Sequence, residues 1–125
     1  SLPSLYHRTG GVHMAAFAAG AILHSADDIS RRNAVDKAVG KAFLAGESFP
    51  AGMLLTSGRI SSDIVVRMIR VGIPLLVSKS APTDRAVELA RSYGITLCGL
   101  TRGRRMNVYS RPDRLELNGE RLPAE

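Results

Sequence analysis

Three short turns carry the residues best suited to chemistry. Ser57-Gly58-Arg59 joins a glycine, where backbone can come close to a ligand, to a hydroxyl and a guanidinium fork that can grip phosphate. It reads equally as a plain turn with a capping serine. Ser78-Lys79-Ser80-Ala81-Pro82-Thr83 repeats that character, with hydroxyls that could hold a ligand or cap a helix. Leu100-Thr101-Arg102-Gly103-Arg104-Arg105 sets three arginines around a glycine, and the next acidic residues are Asp113 and Glu116. That run is an anion site or a solvated basic loop.

A fourth stretch, Arg8-Thr9-Gly10-Gly11-Val12-His13, puts two glycines and a histidine ahead of an apolar segment. His13 fits a hydrogen-bonded structural role as well as that of a base or ligand. No GxGxxG or Walker pattern occurs, which argues against the ordinary dinucleotide and ATP sites. The densest polar run spans residues 27–37. It is either a solvated helix start capped by Asp27 or Ser30, or a polar site in its own right.

The elements that must position these turns follow from the apolar pattern. Strands are predicted at 12–19 and 21–24 around Gly20, then at 53–56, 74–77, 95–100 and 106–109. A helix over 33–45 buries Ala34, Val35, Ala38, Val39, Ala42 and Phe43, and Gly46 ends it. A second leaves the Ser57-Gly58 turn with Ile60, Ile64, Val65, Met68 and Ile69 inward, and closes at Gly72. A third starts at the N-cap Thr83, buries Ala86, Val87, Leu89, Ala90 and Tyr93, and stops at Gly94. This β-β-α-β-α-β-α-β-β order predicts an α/β domain with a largely parallel sheet. Ligands then gather at the carboxyl ends of the strands, where the three turns fall.

With 125 residues the chain predicts one domain over 1–125. Apolar residues at 45% and charged residues at 22% argue against disorder. The longest apolar stretch, 14–23, is about half of what a bilayer crossing needs, so no membrane association is expected. The first residues, Ser1-Leu2-Pro3, show neither an initiator Met nor a signal-peptide pattern, which leads us to expect a fragment of a longer cytoplasmic protein. One cysteine, Cys98, rules out an internal disulfide and a Cys-based zinc site within these residues. The net charge of +6, with 14 arginines among the 17 basic residues, calls for an anionic partner.

Taken in order, these segments resemble the formate dehydrogenase accessory sulfurtransferase family, FdhD. Its marks are a TGGxH strand entry, an E-D-x-G-R-H-N-A-x-D-K run, an SGR turn, an S-x-S-A-P-T turn and an R-G-x-R/F-N-x-Y ending. Here they stand at 9–13, 27–37, 57–59, 78–83 and 102–109. The resemblance implies a three-layer cytidine-deaminase-like α/β domain with a mostly parallel mixed sheet and helices on both faces. It implies a homodimeric sulfurtransferase that takes sulfur from a cysteine desulfurase. The acceptor is the molybdenum bis(molybdopterin guanine dinucleotide) cofactor needed by formate dehydrogenase, bound as substrate, with GDP a partial mimic. The family's cofactor-binding run maps to Leu100, Thr101, Arg102, Gly103, Arg104 and Arg105. Ser57, Gly58, Arg59, Gly10, Gly11, His13, Ser80 and Thr83 complete the candidate cofactor site, and no metal ligands are assigned.

The sequence departs from the family at two points. The family's sulfur-carrying CxxC loop lies upstream of TGGxH, so the persulfide cysteine is expected outside these residues and no catalytic residue is assigned here. The family's Gly-Arg-His is Ser30-Arg31-Arg32. A zinc deaminase, the other chemistry of such a fold, is rejected because its H-x-E and P-C-x-x-C elements are missing. A basic nucleotide- or nucleic-acid-binding module without sulfur transfer is the alternative. Nucleic acid is disfavoured because there is no tryptophan and no evident stacking platform.

Overall fold

A tight turn at Gly20 folds β1, His13–Ala19, back on β2, Ile22–Asp28, in an antiparallel hairpin. The structure, a computed structural model, describes residues 12–102, 105–117 and 120–121. β2 runs four residues beyond its expected end, because Ser25, Ala26, Asp27 and Asp28 keep pairing with β1. Helix α1, Arg31–Leu44, follows at once. Ser30 caps it, its hydroxyl accepting from the Asn33 N–H at 3.4 Å. Ala34, Ala38 and Ala42, one turn apart with Val35 alongside, form its buried stripe. Phe43 was expected on that face but is 70% exposed. The alanine stripe seats the helix close to the sheet, and a ring one position round from Ala42 falls outside the contact.

The remaining strands are β3, Met53–Thr56; β4, Leu75–Ser78; β5, Thr96–Arg102; and β6, Arg105–Ser110. Between them lie α2, Ser62–Val71, and α3, Asp84–Tyr93. Both helices end on a left-handed glycine, Gly72 at φ 84° and Gly94 at φ 75°, as their sequences predict. Thr83 caps α3, accepting from the Ala86 N–H at 3.1 Å. Tyr93 was expected inward but is 63% exposed. Standing just before the glycine cap, it lies past the stripe marked by Ala86 and Ala90.

The six strands pair in the order β2-β1-β3-β4-β5-β6. The α/β class is as the sequence predicts. Four strands, β2 to β5, run the same way, yet only β3–β4 and β4–β5 pair in parallel. The sheet is mixed because β1 inserts between β2 and β3 and is antiparallel to both. The expectation of helices on both faces is corrected for the described residues. The three crossovers step the same way along the sheet, so one handedness puts all three helices on one face. There they share a core with the row Phe17, Leu54, Leu76 and Leu97, which lie side by side in register. No helix among the described residues is long and apolar enough to cross a membrane.

Both sheet edges are met by cations from the helices. On β2, Lys41 Nζ donates to the Ser25 carbonyl at 2.7 Å and Lys37 Nζ to the Asp27 carbonyl at 3.4 Å. On β6, Arg91 Nε donates to the Tyr109 carbonyl at 3.2 Å. Bare edge carbonyls are a template for strand addition. Replacing both Lys37 and Lys41 by alanine should therefore make the protein self-associate at concentrations where the parent does not, with light scattering as the readout. Identical scattering of the two proteins would count against this role.

Candidate functional site

At the carboxyl end of β3 the chain does not enter a helix. Helix α2 begins at Ser62, so Ser57-Gly58 stands ahead of it, separated by Arg59-Ile60-Ser61. The expected phosphate grip by free N–H groups of that helix is thereby corrected: Ile60 is tied into a bridge with Pro82 instead. The Ile60 N–H donates to the Ala81 carbonyl at 3.4 Å, and the Thr83 N–H to the Ile60 carbonyl at 2.9 Å.

The serine hydroxyls lace this region together. The Met14 N–H donates to Ser57 Oγ at 2.9 Å, and the Ser57 N–H returns to the Met14 carbonyl at 3.0 Å. Ser80 Oγ donates to the Ser57 carbonyl at 3.0 Å and Ser78 Oγ to the Gly58 carbonyl at 2.7 Å. The Leu100 N–H donates to the Ser80 carbonyl at 3.1 Å, drawing the end of β5 into the same knot. All three oxygens of Ser57, Ser80 and Thr83 are engaged with backbone: Thr83 caps α3, whereas Ser57 and Ser80 tie one loop to another segment and cap no helix. What these loops present outward is charge. Arg59 is exposed, and Lys79, Leu100, Arg105 and Asn107 line an open cavity of about 350 Å³.

Because β1 is antiparallel to β3, its first residue reaches the same end of the sheet. His13 and Arg31 both crowd Gly58. A methyl group there would stand 3.2 Å from Arg31 Cβ and 3.3 Å from His13 Nδ1, so glycine is what lets them converge. Arg32, at the family's histidine position, pairs at 3.5 Å with Asp63 in the first turn of α2. Asp28 holds the neighbouring corner. Its hydrogen bond to Lys37, then its bond from the Ser30 N–H, keep its carboxyl below the usual range.

The structure thus brings together His13, Ser57, Gly58, Arg59, Ser80, Thr83, Leu100 and Arg105 of the predicted site. Gly10, Gly11, Gly103 and Arg104 lie outside the described residues, and Thr101 and Arg102 are described by backbone alone. Sequence reasoning did not list Lys79, Asn107 or Arg31. Each lay inside a quoted motif, and the signal available was adjacency to a strand end. Leu100 sits at φ 53°, a left-handed conformation costly for leucine, where the register of β5 and β6 shifts. Cys98 lies apart from all this. It is fully buried, aligned with Val77 on the sheet face opposite Leu97, and burial pushes its thiol up to about 11.

Comparison with known proteins is consistent across three lines. The family model described as FdhD/NarQ matches residues 1–116. The chain is 47% identical over 124 residues to a sulfur carrier protein FdhD of Anaeromyxobacter sp. (strain K), covering 92% of this chain and 43% of that protein. It is 36% identical over 111 residues to its counterpart in Methanothermobacter thermautotrophicus, covering 89% and 45%. A solved structure described as a formate dehydrogenase accessory protein, from Desulfotalea psychrophila, matches with a TM-score of 0.81 and 34% identity. That match covers 90% of this chain and 51% of the other. The chain therefore spans less than half the length of these two sulfur carrier proteins.

Ser57→Ala removes the acceptor for the buried Met14 N–H and should cost about 1–3 kcal/mol of stability, read by urea unfolding. No change in the midpoint would refute the lacing role. Cys98 should label slowly in the native protein, since at pH 7 on the order of one thiol in ten thousand is ionised. Its raised folded value has a fixed sign. The neutral thiol's contribution is complete below pH 9, the unfolded thiol's range, and is lost as pH climbs through about 11. In Cys98→Ala that alkaline loss should shrink. Rapid labelling of the folded parent would overturn the assignment.

Proposed function

The chain belongs to the FdhD/NarQ family, and from that premise we propose that it is the part of a sulfur carrier that holds the molybdenum bis(molybdopterin guanine dinucleotide) cofactor, its substrate, for sulfuration. The enzyme served is a formate dehydrogenase, the sulfur donor a cysteine desulfurase, and the working form a cytoplasmic homodimer. One observation carries the binding role. Three loops at the carboxyl ends of adjacent strands are tied to one another, and each brings a cation: Arg59, Lys79 and Arg105. Residues 57–61, 78–83 and 99–107 contain no Asp or Glu, so no carboxylate of these loops neutralises them. Phosphate oxygens suit such a set of cations.

The domain's part is to bind and orient. A persulfide carrier needs an exposed thiol of low pKa that can reach two partners in turn, and buried Cys98 is the opposite. The sulfur is carried by a cysteine that is not among these 125 residues. The arginines fix the dinucleotide's phosphates in a shared geometry, and the laced loops keep those arginines from drifting apart.

Each charge-assisted arginine bond to phosphate contributes roughly 1.5–3 kcal/mol. Arg105→Ala and Arg59→Ala should each weaken GDP binding by about tenfold or more in calorimetry. Arg102→Ala, in the run that the family resemblance marks, should do the same. Unchanged GDP affinity in all three variants would end the site assignment. A steep fall of affinity with salt for single-stranded DNA, with no GDP binding, would instead favour the nucleic-acid module.

A further inference from the structure

We infer that the apolar groove between α1 and α2 docks an acidic segment of a partner protein, one that offers a large apolar side chain flanked by carboxylates. The groove stands apart from the laced loops. Ile73 leads into β4 at the end of the sheet opposite Ser78, and α2 ends beside it. A partner seated there leaves the strand-end cations free, so this surface does not depend on the nucleotide reading.

The gap follows from how the two helices are held. α1 rests on the sheet through its alanine stripe, and side chains that small fill little of the space beside them. Across that space the helices are tied near their surfaces. Arg67 Nε donates to the Asp36 carboxylate at 2.8 Å, and Arg32 Nη1 to that of Asp63 at 3.5 Å. The Arg67–Asp36 pair borders a cavity of about 130 Å³. Val35, Leu54, Met68 and Ile73 form its base, and Val39 and Val71 are its half-buried walls. An apolar cavity of roughly 150 Å³ holds a benzene ring. The size therefore fits one leucine or phenylalanine side chain, whose entry would cover both valines.

Charge says what must flank that side chain. Arg67 and Arg70 both line the cavity and stand three residues apart on α2, so their side chains are neighbours. Arg67 is matched by Asp36. Arg70 is exposed and has no carboxylate partner among the described residues. The rim thus carries one positive charge in excess. A carboxylate beside the apolar anchor meets Arg70, and one on its other side can share Arg67. The aliphatic stems of both arginines lengthen the apolar wall while their heads stay in water. One anchor in a pocket with charges at its rim is the usual anatomy of a peptide site.

The test is an NMR titration of the isotope-labelled full chain with the peptides Ac-EEFEE-NH2, Ac-EEAEE-NH2 and Ac-KKFKK-NH2. The first should shift the amides of Val39, Met68, Val71 and Ile73. It should bind about tenfold tighter than its alanine counterpart, the scale set by burying one ring. The lysine peptide should leave those amides unmoved. Arg70→Glu should weaken the acidic peptide by about threefold or more. Val39→Phe fills the cavity from its own wall and should abolish the groove shifts while circular dichroism holds. If that variant misfolds, Arg70→Glu, at an exposed position, still decides. No shift at these amides, shifts confined to the strand-end loops, or equal binding of the alanine or lysine peptide would overturn the proposal. So would sedimentation that shows a dimer broken by Arg70→Glu, which gives the groove to a second copy of this chain.

Discussion

Serine hydroxyls bonded to loop carbonyls hold the working end of this molecule in shape. Strand ends leave backbone N–H and C=O groups without ladder partners, and buried ones must find partners elsewhere. Here the partners are Ser57, Ser78 and Ser80, each reaching a carbonyl of another segment. The result is a joint among β1, β3, β4 and β5 that involves no helix end. The separation of Arg59, Lys79 and Arg105 is consequently a property of backbone that is already bonded. Arginine and lysine side chains are otherwise costly to order, and a fixed base lessens that cost.

The same joint explains why polar side chains of such different origin meet there. β1 lies between two strands that run opposite to it, so its amino end meets their carboxyl ends. That geometry delivers His13 from the start of the described chain and Arg31 from the first turn of α1 to one glycine. It also puts the cations on the rim and the carboxylates one step back. Asp28 and Asp63 stand behind the front, each already engaged by Lys37 or Arg32. The face left for a ligand is therefore positive by arrangement as well as by composition.

Much of this could be read from the residues. Strand and helix order, the caps at Ser30 and Thr83, and the glycine stops at Gly72 and Gly94 all depend on local patterns that one segment contains. The position of β1 did not. Its apolar run says only that it is buried, and which neighbours it takes is set by packing between distant segments. Phe43 and Tyr93 show the same limit, since period alone cannot say how wide a buried stripe is. At the site, motif and strand end located the loops correctly. The serines were ambiguous because a hydroxyl that binds a ligand and one that ties a loop are the same residue in a sequence. Asn107 lay inside a quoted motif and was still passed over, because its cavity exists only once β6 folds beside β5.

The placement of β1 also orders the events by which the chain acquires its shape. β1 and β2 close over two residues and can zip early, whereas Ser57 must find Met14 across 43 positions. Closing a long loop comes late because its entropy must be met before any contact repays it. The Ser57–Met14 link sits on that late closure. The serine bonds between the β3 and β4 loops span only 20 and 23 positions, so docking of β1 completes a site whose cationic loops are joined over shorter distances. Anything that grips the finished loops gains its hold against the opening of the whole sheet, so occupancy and resistance to unfolding rise together.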